Sequence, residues 1–245
     1  MKNDIFSKKF FTLFSCCLFT LMLLSNRSVT NTTDKPAINA KFVTAGATLY
    51  ETLELGNLGL SKVAYTAAVR GFDRLRAAGI LPNGKVLSIV DFSLPSNKKR
   101  LFIIDMATGK LLFNTFVSHG RNSGKELATQ FSNKFHSFQS SLGFYVTGQT
   151  YTGHHGYSLR LNGMEQGIND NAFGRGIVMH AAAYVNEYSA EKLGRIGRSE
   201  GCPAIPENLH RAVIETIKNG SCLFLYGTDT KYISESKYLQ RLQNV

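Results

Sequence analysis

Arg198-Ser199-Glu200-Gly201-Cys202-Pro203-Ala204 sets a cysteine in a polar loop, a context unlike that of a packing cysteine. Gly201 gives the backbone conformations closed to other residues and lets it approach a bound molecule closely. Backbone N–H groups near this cysteine are candidate donors to a developing oxyanion. A thiol attacks well only as thiolate, so a nearby base is required. His180 is the candidate, because it ends the apolar run Ile177-Val178-Met179 and a strand holds an imidazole more rigidly than a mobile loop does. Downstream of Cys202 there is only His210, on a helical packing pattern. The base therefore precedes the nucleophile, and Ala182–Arg198, seventeen residues, lies between Ala181 and Ser199.

Working outward, the texture around this loop is that of strands. Val86–Asp91 and Arg100–Asp105 read as strands, and Ala107-Thr108-Gly109-Lys110 turns the chain into a third, Leu111–Val117. Shorter β candidates follow at Gly143–Thr147, Tyr157–Leu161 and Gly176–His180, and Ser221–Tyr226 is a closing strand. Cys222 alternates like a packed strand residue. Two helices are expected. Leu60–Ala78 carries Leu60, Ala64, Ala67, Phe72 and Leu75 at helical spacing before Gly79 and the turn Pro82-Asn83-Gly84. Glu207–Lys218 starts near Pro206, which would put Cys202 close to a helix N-terminus whose partial positive charge favours thiolate. The fold class is mainly β with a few helices, behind a short helical leader.

The chain has 245 residues and a formal charge of +11. Lys2, Lys8 and Lys9 precede an apolar run from Phe10 to Leu24, and a polar flank follows. That is the pattern of an export signal or an uncleaved anchor over residues 1–28. Without residues 1–25 the charge is still +9, so the basic excess belongs to the remainder and suits an anionic partner. No basic cluster is longer than Lys98-Lys99-Arg100 and no nucleic-acid motif accompanies it, which argues against nucleic acid. Contact with a membrane is expected only through the N-terminal segment. Residues 26–40 read as a polar tether, and 29–84 as tether plus helical leader. Cys16 and Cys17 fall within the export segment, leaving Cys202 and Cys222. One bridge in a domain of this size is hardly needed, so Cys202 is expected to be free.

The order His180-Ala181, spacer, Ser199-Glu200-Gly201-Cys202 resembles the L,D-transpeptidase catalytic motif, and the murein L,D-transpeptidase catalytic domain family in particular. Phe116–Gly124, Phe131–Asn133, Ser140–Tyr145, Tyr157–Leu161 and Asn169–Ala172 extend the resemblance over roughly Val86 to Gly227. It implies a β-sandwich or barrel catalytic domain over 85–228, followed by a C-terminal tail over 229–245. It implies peptidoglycan stem peptides as partners in the periplasm or cell envelope, with no cofactor and no metal. By the same resemblance Cys202 forms an acyl-enzyme with a tetrapeptide stem, D-alanine leaves, and an amine or water resolves the intermediate. His180 then moves the protons, with a backbone carbonyl orienting its ring. Gly201, Ser199 and Ala181 become oxyanion or positioning residues, and Arg198, Tyr145, Glu200 and His119 candidate substrate contacts. Two positions depart from the family pattern: Glu200 stands where His is usual, and Ala204 where Arg or Asn is usual.

Two other classes remain open from the residues alone. His119, His154 and His155 raise a zinc-dependent wall peptidase, although no His-Glu-x-x-His spacing is present. A non-catalytic wall-binding domain would share the fold. The sequence sets no oligomeric state. A fusion that places a reporter after residue 30 is expected to be active outside the cytoplasm. An inactive export reporter beside an active cytoplasmic one would sink the export reading.

Overall fold

A computed structural model describes residues 49–240. The expected export segment at 1–28, the tether over 26–40 and the last five residues of the expected tail lie outside the described residues. Among the described residues no helix is long and apolar enough to cross a membrane. The elements are α1 (Lys62–Ala77), β1 (Val86–Asp91), β2 (Leu101–Asp105), β3 (Lys110–Thr115), β4 (Gly143–Gly153) and β5 (Gly156–Gly163). They continue with β6 (Val178–Ala181), α2 (Glu187–Lys192), β7 (Ala204–Ile205), α3 (His210–Ile217), β8 (Cys222–Tyr226) and α4 (Thr230–Glu235). The fold is mostly β with few helices, as its sequence implies.

The strands form one sheet in the order β3-β2-β1-β8-β4-β5-β6-β7. β1 pairs in parallel with β8, and β6 with β7; the other neighbours are antiparallel. Every residue of β1 and β8 is buried. Strands covered on both faces read as near-continuous apolar runs, which is why both were visible in sequence. α1 lies against these two strands. Its side chain Ser61 caps the first turn by accepting from the Ala64 N–H, and Arg74 and Arg76 sit in the last turn, where cations suit the helix dipole. Leu60 is a core residue but stands ahead of that cap, so the helix starts two residues later than expected.

The contact between helix and sheet is unusually close at one point. A Cβ on Gly71 would lie 2.0 Å from the Phe144 ring. Phe144 on β4 stacks in turn on its cross-strand partner Phe224 on β8, centroids 4.1 Å apart. The C-terminal segment joins the same core: Tyr238 meets Phe144 edge-on at 5.4 Å, and the Tyr232 and Ser236 hydroxyls donate to buried Glu165. Glu165 also accepts from the Phe144 N–H at 2.8 Å, so one carboxylate ties α4 to β4.

Several elements differ from the sequence expectation, and the short helices α2 and α4 were not expected at all. β4 and β5 run on as a half-exposed ribbon to Gly153 and Gly156, with an irregularity between Thr147 and Thr150. Its outer half buries little, so no apolar alternation marks it. β7 is a two-residue strand where a loop was expected, pairing Ala204 with His180 and Ile205 with Ala181. α3 begins only at His210, with Leu209 at the N-cap position but no side-chain cap, and Pro206 lies outside it. The dipole effect fades within the first turn, so this helix cannot activate Cys202, which corrects the expectation of a helix start near Pro206.

Gly to Ala inside a helix ordinarily stabilises by roughly 0.5–1 kcal/mol. At Gly71 the overlap with Phe144 reverses the sign, and Gly71→Ala is expected to cost about 1–3 kcal/mol. Urea unfolding followed by tyrosine fluorescence measures it, and an unchanged or higher midpoint would contradict the packing described.

Candidate active site

β6 carries His180, whose side chain is only 3% exposed. Its Nδ1–H donates to the Ala181 carbonyl at 2.8 Å, which leaves Nε2 as the basic nitrogen. A backbone carbonyl therefore orients the ring, as the resemblance implied, and Ala181 supplies it. Burial holds the imidazole below its ordinary range, the bond to Ala181 opposes that shift, and neighbouring His155 adds to it.

The loop before β7 is shaped by short side-chain bonds. Ser199 Oγ accepts from the Gly201 N–H at 3.1 Å and donates to the Cys202 carbonyl at 2.6 Å. Gly201 has φ +124, and a Cβ there would lie 2.8 Å from the Gln139 carbonyl, so both its conformation and its space require glycine. Its N–H is taken by Ser199, which makes Gly201 a conformational residue; the Cys202 N–H, unpartnered among the described residues, is the candidate oxyanion donor. On the far side the segment after β3 clamps the loop. The Ser118 N–H donates to the Ala204 carbonyl at 2.8 Å, Ser199 N–H to His119 O at 3.0 Å, and Arg121 N–H to Ser199 O at 2.7 Å.

Cys202 is half-buried and free of any disulfide. The Val178 N–H donates to its sulfur at 3.5 Å, and the sulfur lies 3.7 Å from the Gly176 carbonyl. Val178 is two residues before His180 on β6, so the thiol sits at the strand that carries His180. Burial raises the thiol, the Val178 N–H and the Arg175 guanidinium lower it, and Glu200 opposes them. Cys222 is buried on β8, and burial pushes its thiol up strongly.

Cys202, His180, Ser199, Arg198 and Glu200 line one cleft of about 720 Å³, together with Arg121, Arg175, Tyr184 and the His154-His155 turn. Arg198 Nη1 donates to the Arg121 and Gly124 carbonyls, both at 2.9 Å, so part of the guanidinium is spent on bracing the wall. Glu200 forms an exposed ion pair with Arg121 at 3.4 Å, a contact of small energy.

Two expected substrate contacts are not in the cleft. Tyr145 is fully buried on β4, its hydroxyl donating to the Ser141 carbonyl at 2.9 Å. His119 is fully buried against Arg100, whose Nη2–H donates to its Nδ1 at 2.7 Å, leaving Nε2–H for the Gly124 carbonyl at 3.3 Å. Burial and the Arg100 charge push His119 down to about 3, so it stays neutral. Both residues match motif segments for structural reasons. Among the described residues no group of three or more His, Cys, Asp or Glu side chains gathers as a metal site.

Arg175 escaped the sequence reading, because a lone arginine in Phe173-Gly174-Arg175-Gly176 carries no pattern. Its Nη1 donates to Ser132 O at 2.8 Å and Ser141 Oγ at 2.6 Å, its Nη2 to Gln139 O at 2.7 Å and Ser137 Oγ at 3.1 Å. A fixed cation thus stands beside the thiol.

Fold and cleft together define a mostly β domain in which a cysteine and a histidine line one cleft, the cysteine in the loop that leads into the strand paired with the histidine's. Residues 57–226 match the model of the L,D-transpeptidase catalytic domain, well over half of the chain, and the protein belongs to that family. Among solved structures it is similar to an L,D-transpeptidase from Mycobacterium smegmatis, at 13% identity over 58% of this chain and 59% of that one, TM-score 0.37. An L,D-transpeptidase from Stackebrandtia nassauensis shares 12% identity over 68% and 67%, TM-score 0.37. The helical cell shape determining protein Pgp2 from Campylobacter jejuni shares 13% over 60% and 45%, TM-score 0.35. The chain thus spans about three fifths of the first of these structures. No curated protein matches it in sequence.

Arg175→Met is expected to slow alkylation of Cys202 by iodoacetamide at neutral pH by roughly fivefold, since the thiolate loses its nearest fixed cation, while Arg175→Lys keeps most of the rate. The rate, followed against pH by mass spectrometry with Cys222 as the unreactive internal control, checks this. Equal rates in the two variants would remove the charge from the account.

Proposed function

We propose that the protein is a peptidoglycan L,D-transpeptidase whose nucleophile is Cys202 and whose base is His180. The observation that carries this reading is the parallel pairing of His180 with Ala204, which sets the Cys202 loop against the strand of a histidine whose Nδ1 is already committed. His180 Nε2 takes the thiol proton, and the thiolate attacks the carbonyl that follows the third residue of a tetrapeptide stem. The Cys202 N–H receives the oxyanion. Collapse of the tetrahedral intermediate breaks the peptide bond, and the proton held by His180 passes to the departing D-alanine amine. A thioester remains. An acceptor amine, or water, then loses a proton to His180, attacks the thioester and releases Cys202.

Arg121, Arg175 and Arg198 give the cleft a cationic wall, which suits a peptide bearing carboxylates. The net charge of +11 suits an anionic wall polymer. The proposed location is the periplasm or cell envelope, reached through the segment at 1–28. Crosslinking, terminal D-amino-acid exchange, trimming by water and attachment of an envelope protein share the first half-reaction, and the product identifies the acceptor.

Incubation with a disaccharide tetrapeptide is expected to release D-alanine. Cys202→Ala abolishes the release, and His180→Ala lowers it by about 10²- to 10⁴-fold with the fold intact. The acid limb of the rate is expected below 6.5, because the base must be neutral and its environment holds it under that ordinary value. A carbapenem adds one covalent mass to the Cys202 peptide and none to that of Cys222. Turnover retained in Cys202→Ala, or an adduct on Cys222, would overturn the assignment.

A further inference from the structure

Two imidazoles meet face to face at the mouth of the cleft. His155, in the turn that joins β4 to β5, lies over His180 with centroids 4.2 Å apart and planes 18° from parallel. His154, its neighbour in the turn, meets His155 edge-on at 5.0 Å and 84°. The turn itself is tight: Gly153 pairs with Gly156, and Gly156 takes φ +71, a left-handed conformation that glycine adopts without strain. His155 is exposed while His180 is buried, so the His155 ring forms the layer between the base and solvent.

We propose that His155 is a positioning residue for His180: its ring fixes the plane of the imidazole beneath it and, when protonated, opposes a second positive charge there. This role rests on His180 being the base. The bond from Nδ1 to Ala181 fixes one edge of the His180 ring but leaves rotation about that edge, which a ring stacked on the face blocks. The charge effect follows from distance alone, since two like charges about 4 Å apart repel appreciably even in water.

The other charged groups of the cleft and of α3 are committed elsewhere: Arg121 to Glu200, Arg175 to Ser132, Ser137, Gln139 and Ser141, Arg198 to the Arg121 and Gly124 carbonyls, and Arg211 to the Tyr157 ring. Cys202, from the loop before β7, and Tyr184, just after β6, share the cleft and are neutral when protonated. β7 itself contributes only Ala204 and Ile205. On β5, Arg160 is turned onto the Tyr151 and Phe173 rings, and the Tyr157 hydroxyl onto Glu215 of α3. The stacked ring of His155 is thus the titratable group in direct ring contact with His180 among the described residues. Burial holds His180 below the ordinary imidazole range first, and His155 adds to that hold.

Histidine-labelled full-length protein, titrated by NMR as wild type, His155→Phe and His155→Ala, separates cover from charge. Phe keeps an aromatic ring over His180 and removes the charge; Ala removes both. His180 is expected to titrate at higher pH in both variants, with its Nδ1–H signal kept sharp in His155→Phe and broadened in His155→Ala. Turnover on the acid side should fall by about tenfold for each pH unit that the limb moves up. An unchanged titration in His155→Phe, whatever His155→Ala does, would overturn the proposal. A displaced titration in a protein that releases no D-alanine would support the coupling between the two rings and sink the transpeptidase reading instead.

Discussion

Everything at the cleft depends on how the backbone on either side of Cys202 is held. β7 is two residues long, and a pair that short has little cohesion of its own. It is stable because both of its edges are used: His180 and Ala181 pair with it on one side, and the Ser118–Arg121 segment clamps the same stretch on the other. Buried N–H and C=O groups must find partners, so this double pairing fixes the loop with little freedom left. Ser199 completes it by bridging the Gly201 N–H and the Cys202 carbonyl. The thiol is thereby placed by main-chain geometry, and the side chains around it are left free to set its charge.

The clamp needs a foundation, and Arg100 provides it. This arginine is fully buried, and its donors reach the Val117 carbonyl twice, the Leu94 carbonyl once and His119 Nδ1 once. Burial draws its guanidinium down to about 9, with Asp91 opposing that shift. A buried charge is costly unless its hydrogen bonds are satisfied, and here carbonyl dipoles and a neutral imidazole supply them. His119 can accept from Arg100 only because it carries no charge, and its remaining N–H holds the Gly124 carbonyl that Arg198 also holds. A chain of polar contacts thus runs from the strand end at Arg100 to the wall of the cleft.

The sequence disclosed these layers unequally, for physical reasons. β1 and β8 were legible because strands buried on both faces read as near-continuous apolar runs, broken in β1 only by Ser88 and Asp91, and α1 because its buried stripe repeats at helical spacing. The thiol and the imidazole were legible because a cysteine in Ser-Glu-Gly-Cys-Pro has little reason to be there for packing. β7 was invisible, since Ala204-Ile205 is too short to carry a period. Tyr145 and His119 misled because motif matches do not say whether a residue faces substrate or core. Arg175 was hidden by the opposite fault, and His155, named in sequence only for its zinc-ligand type and its loop, shows its stacking on His180 only in the fold, because each acts through a neighbour far away in sequence.

The charge state of the resting cleft follows from these placements. Burial raises the Cys202 thiol and lowers the His180 imidazole, so near neutral pH both members of the proposed pair are uncharged. An ion pair made in advance would have to be kept in a half-buried site with few compensating donors, at a cost that grows with burial. A neutral pair avoids that cost and generates its nucleophile only when a carbonyl is present to be attacked. What the cleft does hold in advance is fixed charge, cationic at Arg175 and balanced elsewhere by Glu200. Arg175 is locked beside the sulfur by four hydrogen bonds, while the opposing Glu200 is drawn outward to Arg121. The Arg175 charge therefore offsets part of the burial that raises the thiol, and the double-sided pairing of β7 keeps that arrangement from being lost to movement of the loop.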